Sequence, residues 1–312
     1  GATAHLQTAY FITRKGRTQI RRFPLTADLE IVVGFLSQLA RGGFDRVLFF
    51  PADRNALTSL PGIGKALEAL WEAGEQQPFA WRDFVEFLVT TRNPSEAELG
   101  LLGLSSKLHQ ILGGAAVSTQ DSYGFQVADG PLLPMHSVAS LSRTMAGVDL
   151  YLQRLAQPGD VVIIDELEMN AHPKAQLALV ELIAMMVQRN LRVIFTTHSP
   201  YIVDHLNTLM YASKLPEDRK QELAKDFALQ SAEAFISPDK VAAYCFAKTT
   251  PTKVEVSDVL KRDTGRIDWR TFSRVSNQIG ELWYKVDDAH ATPQTPTTAK
   301  KRKASTKSKV AP

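Results

Sequence analysis

Val161–Asn207 reads VVIIDELEMNAHPKAQLALVELIAMMVQRNLRVIFTTHSPYIVDHLN, and the fold is decided here. Val161–Ile164 is an unbroken apolar run ending at two acids, Asp165 and Glu166; such a run, with no alternation, suits a strand buried on both faces. Pro173 opens Lys174–Arg189, where Leu177, Val180, Leu182, Ile183 and Met186 approximate one helical stripe. Val193–Phe195 is a second apolar run and closes on Thr196, Thr197 and His198. Strand, crossover helix and strand predict a parallel pair with a right-handed connection. Asp165, Glu166 and His198 then emerge at one carboxyl edge, where open α/β sheets bind ligands.

Paired carboxylates at a strand end have a definite use. The first can hold Mg²⁺, directly or through water, because this hard cation prefers oxygen ligands and keeps several waters. The second can orient or deprotonate a water attacking a phosphoryl group, and a histidine on the next strand can hydrogen-bond that group.

At these residues the chain resembles the ABC-type ATPases of the RecF/SMC-like branch, whose bacterial members carry IDEPE-x-N-LHP followed by TTHSP. The matches are Ile164, Asp165, Glu166, Glu168, Asn170, His172 and Pro173, then Thr196–Pro200. Leu167 stands in place of the usual proline and Ala171 in place of leucine. The resemblance implies a P-loop NTPase head of ABC type: an α/β fold with a mostly parallel sheet flanked by helices, and a helical insertion lobe. It also implies ATP and Mg²⁺, with Asp165 as the Walker B magnesium aspartate and Glu166 as the catalytic glutamate. Asn170 and His172 fall in the nucleotide-facing D-loop, and His198 is the switch histidine.

The resemblance places a serine-rich signature before an apolar helix, where free amides and the positive helix end meet the γ-phosphate on an opposite protomer. Here the run is Ser137-Val138-Ala139-Ser140-Leu141-Ser142-Arg143, opening a helix expected over Ser137–Leu155. Ser140 is the best candidate, Ser137 and Ser142 are its rivals, and Arg143 can reach phosphate. The alternative is an ordinary capped helix packed on the sheet.

A phosphate-cradling loop needs G-x-x-x-x-G-K-[ST], with glycines that admit phosphate to backbone amides and a hydroxyl for the magnesium. Ser59–Ala66 has Gly64-Lys65, but Ser59 replaces the first glycine and Ala66 the hydroxyl residue, and no other Gly-Lys pair occurs. The stretch reads as a turn and helix start. The expectation is that the loop lies upstream of Gly1.

Residues 1–60 are expected to be the remainder of an amino-terminal ATPase lobe, 61–114 a helical lobe, 115–288 the core, and 289–312 a disordered basic tail. The first holds a strand pair, Ala9–Ile12 with Thr18–Phe23, a helix to Leu39, and a strand Arg46–Phe50 running into Pro51-Ala52-Asp53-Arg54. Arg54 reads either as a phosphate or DNA contact or as the partner of a neighbouring acid. Helices are expected over 66–73, 80–91 and 95–112, then paired strands Ala115–Ser118 and Tyr123–Val127. After His198 come a short helix carrying a surface Asp204-His205 pair, a charged helix Glu217–Gln230, strands Lys240–Ala247 and Val254–Val256, and a final helix Asp268–Val286.

The 312 residues are 44% hydrophobic, enough for a sizeable core. Cys245 is the single cysteine, so no internal disulfide can form. No apolar run approaches the ~18 residues of a membrane span, and a cytoplasmic setting is expected. Six lysines and arginines and no acid lie in 289–312, so removing them from the net +3 leaves −3 on the body. That tail reads either as a solvated extension or as a phosphate-binding run.

The expected function is an ATPase sandwiching ATP within a homodimer or higher oligomer, with conformational change as its output. The resemblance implies bacterial antiphage defence or DNA repair beside a separate effector nuclease, since no fused nuclease constellation follows, with DNA as a further partner. Two other readings stay open: a nucleotide-sensing scaffold with little turnover, and a DNA-binding structural protein.

Overall fold

The computed structural model describes residues 13–14, 17–18, 47–52, 54, 101–118, 123–250, 253–268 and 270–291. The helices expected over 26–39, 66–73 and 80–91, the Ser59–Ala66 stretch and the basic tail lie outside them. The chain divides into two compact units, Gly1–Asp268 and Trp269–Pro312.

In the first unit, β1 (Thr13–Arg14) pairs antiparallel with β2 (Arg17–Thr18); of the strand pair expected over Ala9–Ile12 and Thr18–Phe23, all but Thr18 lies outside the described residues. β3 (Val47–Phe50) is the expected strand before Pro51. α1 (Leu102–Leu112) ends at Gly113, whose φ of 72° is the left-handed conformation a helix stop favours. β4 (Gly114–Ser118), β5 (Tyr123–Val127) and β6 (Leu132–Pro134) form an antiparallel sheet in that order. Gly114 is obligatory there, because an added Cβ would lie 2.3 Å from the Gln126 carbonyl oxygen.

A 3₁₀ turn, Met135–Ser137, precedes α2 (Ser140–Arg154), which starts three residues later than expected. β7 (Val161–Ile164), α3 (Pro173–Gln188) and β8 (Arg192–Phe195) follow within a residue or so of their sequence bounds. α4 (Pro200–Ala212) is longer than the pattern of apolar residues implied. α5 (Glu217–Leu223) stops early and passes into a 3₁₀ turn, Ala224–Asp226, so the helix expected to reach Gln230 does not. The reason is Glu181 on α3. Its buried carboxylate accepts from the amides of Ala228 at 3.1 Å and Leu229 at 2.8 Å, taking donors a longer helix would have used.

β9 (Tyr244–Thr250) and β10 (Lys253–Asp258) pair antiparallel. β11 (Leu260–Lys261) and β12 (Arg266–Ile267) make a small hairpin turned at Gly265, φ 68°, where a helix start was expected. The side chain of Asn207 on α4 brackets β12, donating to the Ile267 carbonyl and accepting its amide.

β3, β7 and β8 form one parallel sheet with β7 central, in register Phe50, Ile164, Phe195 at the carboxyl edge. All four β7 side chains are buried, which is why its sequence is apolar without alternation. Val162 and Ile164 pack with Leu150, Tyr151 and Leu152 of α2 and Leu179, Val180 and Met186 of α3 in one core. Each such side chain contributes roughly 1.5–3 kcal/mol by leaving water.

The second unit holds α6 (Arg270–Ala291). Val275, Ile279, Leu282 and Val286 recur at alternating spacings of four and three and are all exposed, as is Trp283.

Candidate functional site

The crossover from β7 through α3 to β8 delivers the predicted acids and histidine loop to one sheet edge, and the side chains of Thr196 and Glu168 tie the two ends together. Thr196 Oγ1 donates to Asp165 Oδ1 at 2.6 Å and accepts the Glu166 amide at 2.7 Å. The Glu168 carboxylate accepts the amide of His198, so the loop carrying the exposed imidazole is pinned to the acidic turn. Thr197 Oγ1 accepts the Ser199 amide at 3.0 Å, and the Ser199 hydroxyl donates to Gln176 on α3. Thr196, His198 and Ser199 thus engage the acidic turn or the crossover helix, and Thr197 braces the loop from within.

Glu166 has a φ of 47°. The left-handed region costs a non-glycine residue about 1–2 kcal/mol, so the surroundings must hold it there. Arg54 does this. Its guanidinium donates to the carbonyls of Asp165 at 2.6 Å and Glu166 at 3.3 Å, and to Pro51 at 3.1 Å and Thr144 at 3.0 Å. Arg54 is 1% exposed. Burial pulls its guanidinium down to about 10, against the opposing pull of Asp165, Glu166 and Glu168, so it stays charged at neutral pH. It contacts the backbone beside the acids; its hydrogen-bond acceptors are all carbonyls. Of the two sequence expectations for Arg54, the one that partners it with neighbouring acids agrees with these surroundings, the contact being made through the main-chain carbonyls of Asp165 and Glu166 and through their charge.

Of the other predicted residues, Asn170 has a φ of 60° and donates from Nδ2 to Thr144 Oγ1 at 2.9 Å, joining the loop after the acids to α2. His172 is exposed and caps α3, its Nδ1 accepting the Lys174 amide at 3.3 Å. Ser140 is exposed at the first turn of α2 and accepts from Arg143 at 3.1 Å. Ser142 is buried and Ser137 sits in the preceding 3₁₀ turn. Ala139 occupies the N-cap without a side-chain cap, which leaves amides of the first turn for an anion. Asp204-His205 is not a plain surface pair: His205 Nε2 meets the fully buried Glu181 at 2.8 Å.

Asp165 suits a hard divalent cation in its chemistry: a carboxylate at a strand end, one oxygen oriented by a hydroxyl. Among the described residues no group of three or more His, Cys, Asp or Glu could hold a metal by itself. A magnesium ion here would depend on phosphate and water for its remaining ligands.

Residues 71–204 match the family model described as "AAA domain, putative AbiEii toxin, Type IV TA system". The matched stretch resembles an AAA ATPase domain. It contains every predicted site residue from Ser140 to His198, and the parallel sheet flanked by helices agrees with a P-loop NTPase fold. At this coarse level the match supports a nucleotide-binding, ATPase-like function of AAA/ABC type. No helix among the described residues is long and apolar enough to cross a membrane.

Sequence reading missed Thr144, which receives both Arg54 and Asn170, and Gln176, which holds Ser199. Neither belongs to a motif. Thr144 sits 90 positions from Arg54 and 26 from Asn170, and only the packing of α2 against the β7 edge brings them together.

Proposed function

We propose that this chain is the ATP-hydrolysing part of an ABC/RecF-like conformational switch. The observation that carries the reading is the joining of Asp165, Glu166 and the His198 loop at one sheet edge through Thr196 and Glu168. Glu166 orients and deprotonates the attacking water. His198 hydrogen-bonds the transferred phosphoryl group, and Asp165 holds Mg²⁺, which when bound neutralises charge developing on the phosphates. Ser140 and Arg143 at the start of α2 face the γ-phosphate of ATP held on a second protomer, so the working form is a homodimer or higher oligomer. The phosphate-cradling loop comes from sequence beyond the motifs present in this chain.

The output is assembly and release of a partner, and a separate nuclease or other effector is the class we favour. Bacterial antiphage defence or DNA repair is the setting we favour for such a switch. A second reading, a nucleotide sensor with little turnover, is favoured by the altered signature run Ser137–Arg143, in which Leu141 stands at the possible glycine position.

The test is ATP binding and hydrolysis with magnesium, for this chain and for a form extended upstream to include a P-loop. Steady turnover that Glu166→Gln abolishes supports the hydrolase. Stoichiometric binding with no turnover in the extended form supports the sensor. No binding in either form defeats both.

A further inference from the structure

We infer that Arg54 is a positioning residue that transmits movement of α2 to the Glu166 carboxylate; this rests on the ATPase reading above. Three separate elements meet on one buried guanidinium: the end of β3 through the Pro51 carbonyl, α2 through the Thr144 carbonyl, and the end of β7 through the carbonyls of Asp165 and Glu166. All four acceptors are main-chain oxygens, so Arg54 senses where the backbone lies. The two carbonyls at Asp165 and Glu166 flank the residue held at φ 47°, the conformation that sets the direction of the Glu166 side chain.

Thr144 is gripped from a second side. Its hydroxyl accepts from Asn170, itself left-handed at φ 60°, on the same loop as Glu166. One residue of α2 is therefore bonded to both ends of the turn that carries the acid: through Arg54 at Asp165–Glu166, and directly at Asn170. Ser140 lies one turn earlier on that helix, and Arg143 immediately precedes Thr144. An anion docking on Ser140 displaces or steadies α2, and the shift reaches Glu166 through the Thr144 carbonyl and Arg54 without passing through solvent. Hydrolysis is then licensed only when the start of α2 is occupied. A lysine cannot substitute, because a single ammonium cannot reach three elements in a planar fork.

The experiment compares wild type, Arg54→Lys, Thr144→Val and the double variant in the intact protein including its P-loop, normalised to bound ATP. The readouts are kcat, KM for ATP and thermal midpoint. Arg54→Lys is expected to lower kcat about 10²-fold, the scale of a 1 Å misplacement of a catalytic group, while KM for ATP stays within about threefold. Thr144→Val keeps the carbonyl that Arg54 uses and loses only the Asn170 tie. It should lower kcat about tenfold, and the double variant should show less than the product of the two effects, because both act through one element.

A purely structural Arg54 would lower the thermal midpoint while leaving kcat per ATP site unchanged, which overturns the inference. Independent, multiplying effects overturn the coupling. If Arg54→Lys does not fold, Arg54→Gln is measured in its place, and an unchanged kcat per bound ATP there overturns the inference. If Glu166→Gln abolishes turnover while Arg54→Lys does not slow it, the inference fails and the ATPase reading stands. Absence of turnover in wild type removes both.

Discussion

Thr196 Oγ1 stands between Asp165 and the backbone of Glu166, donating to the carboxylate at 2.6 Å and accepting the amide at 2.7 Å. One hydroxyl, from the end of the strand after the crossover, therefore orients the magnesium candidate and satisfies the backbone of Glu166. Thr196→Val keeps the shape and removes both bonds. Leaving the Glu166 amide unpaired should cost about 1–3 kcal/mol in urea unfolding. The magnesium concentration needed for half-maximal turnover should rise as well. An unchanged magnesium requirement would refute the orienting role of the hydroxyl.

Glu166→Gln keeps the size and hydrogen-bonding capacity of the side chain but removes the base. Turnover should fall about 10²–10⁴-fold, the usual contribution of a positioned acid or base. Nucleotide binding should persist and dimers should accumulate, as read by size-exclusion chromatography with ATP. Asp165→Ala should instead weaken binding of magnesium nucleotide itself, so the two neighbouring acids separate by phenotype.

The exposed Ser140 and the buried Ser142 should part in the same way. Ser140→Ala is expected to leave unfolding within about 0.5 kcal/mol of wild type, as surface changes do, and to reduce turnover in the assembled form only. Ser142→Ala should move the thermal midpoint and leave normalised turnover alone. The opposite pattern would transfer the signature role to Ser142.

Away from the acids, Glu181 is fully buried, with His205 and the amides of Ala228 and Leu229 as its partners. Glu181→Ala removes the acceptor of the buried Leu229 amide and of the part-buried Ala228 amide and His205 ring. A loss of about 3–5 kcal/mol is expected, as for breaking one side of a buried pair. A loss below about 1 kcal/mol in denaturant titration would mean that water replaces the carboxylate.

Much of this was legible in the chain itself. An unbroken β-branched run ending in two acids, a proline-led amphipathic segment and a second run ending in TTHSP require a parallel pair, and so place Asp165, Glu166 and His198 on one edge. These signals are local, carried by residue type and spacing. Periodicity located α3 and β8 within a residue or so, because a strand buried on both faces tolerates only apolar side chains and a crossover helix must show a stripe.

What tertiary structure decided was long-range and polar. The ends of α2 and α5 moved because Ala139 takes the N-cap and Glu181 captures the amides after Leu223. Arg54 could not be assigned from sequence, since its acceptors are main-chain carbonyls. Backbone oxygens are identical in every residue, so no side-chain pattern marks which arginine will meet them; only packing of α2 against the β3–β7 edge brings Thr144, Asp165 and Glu166 within reach of one guanidinium.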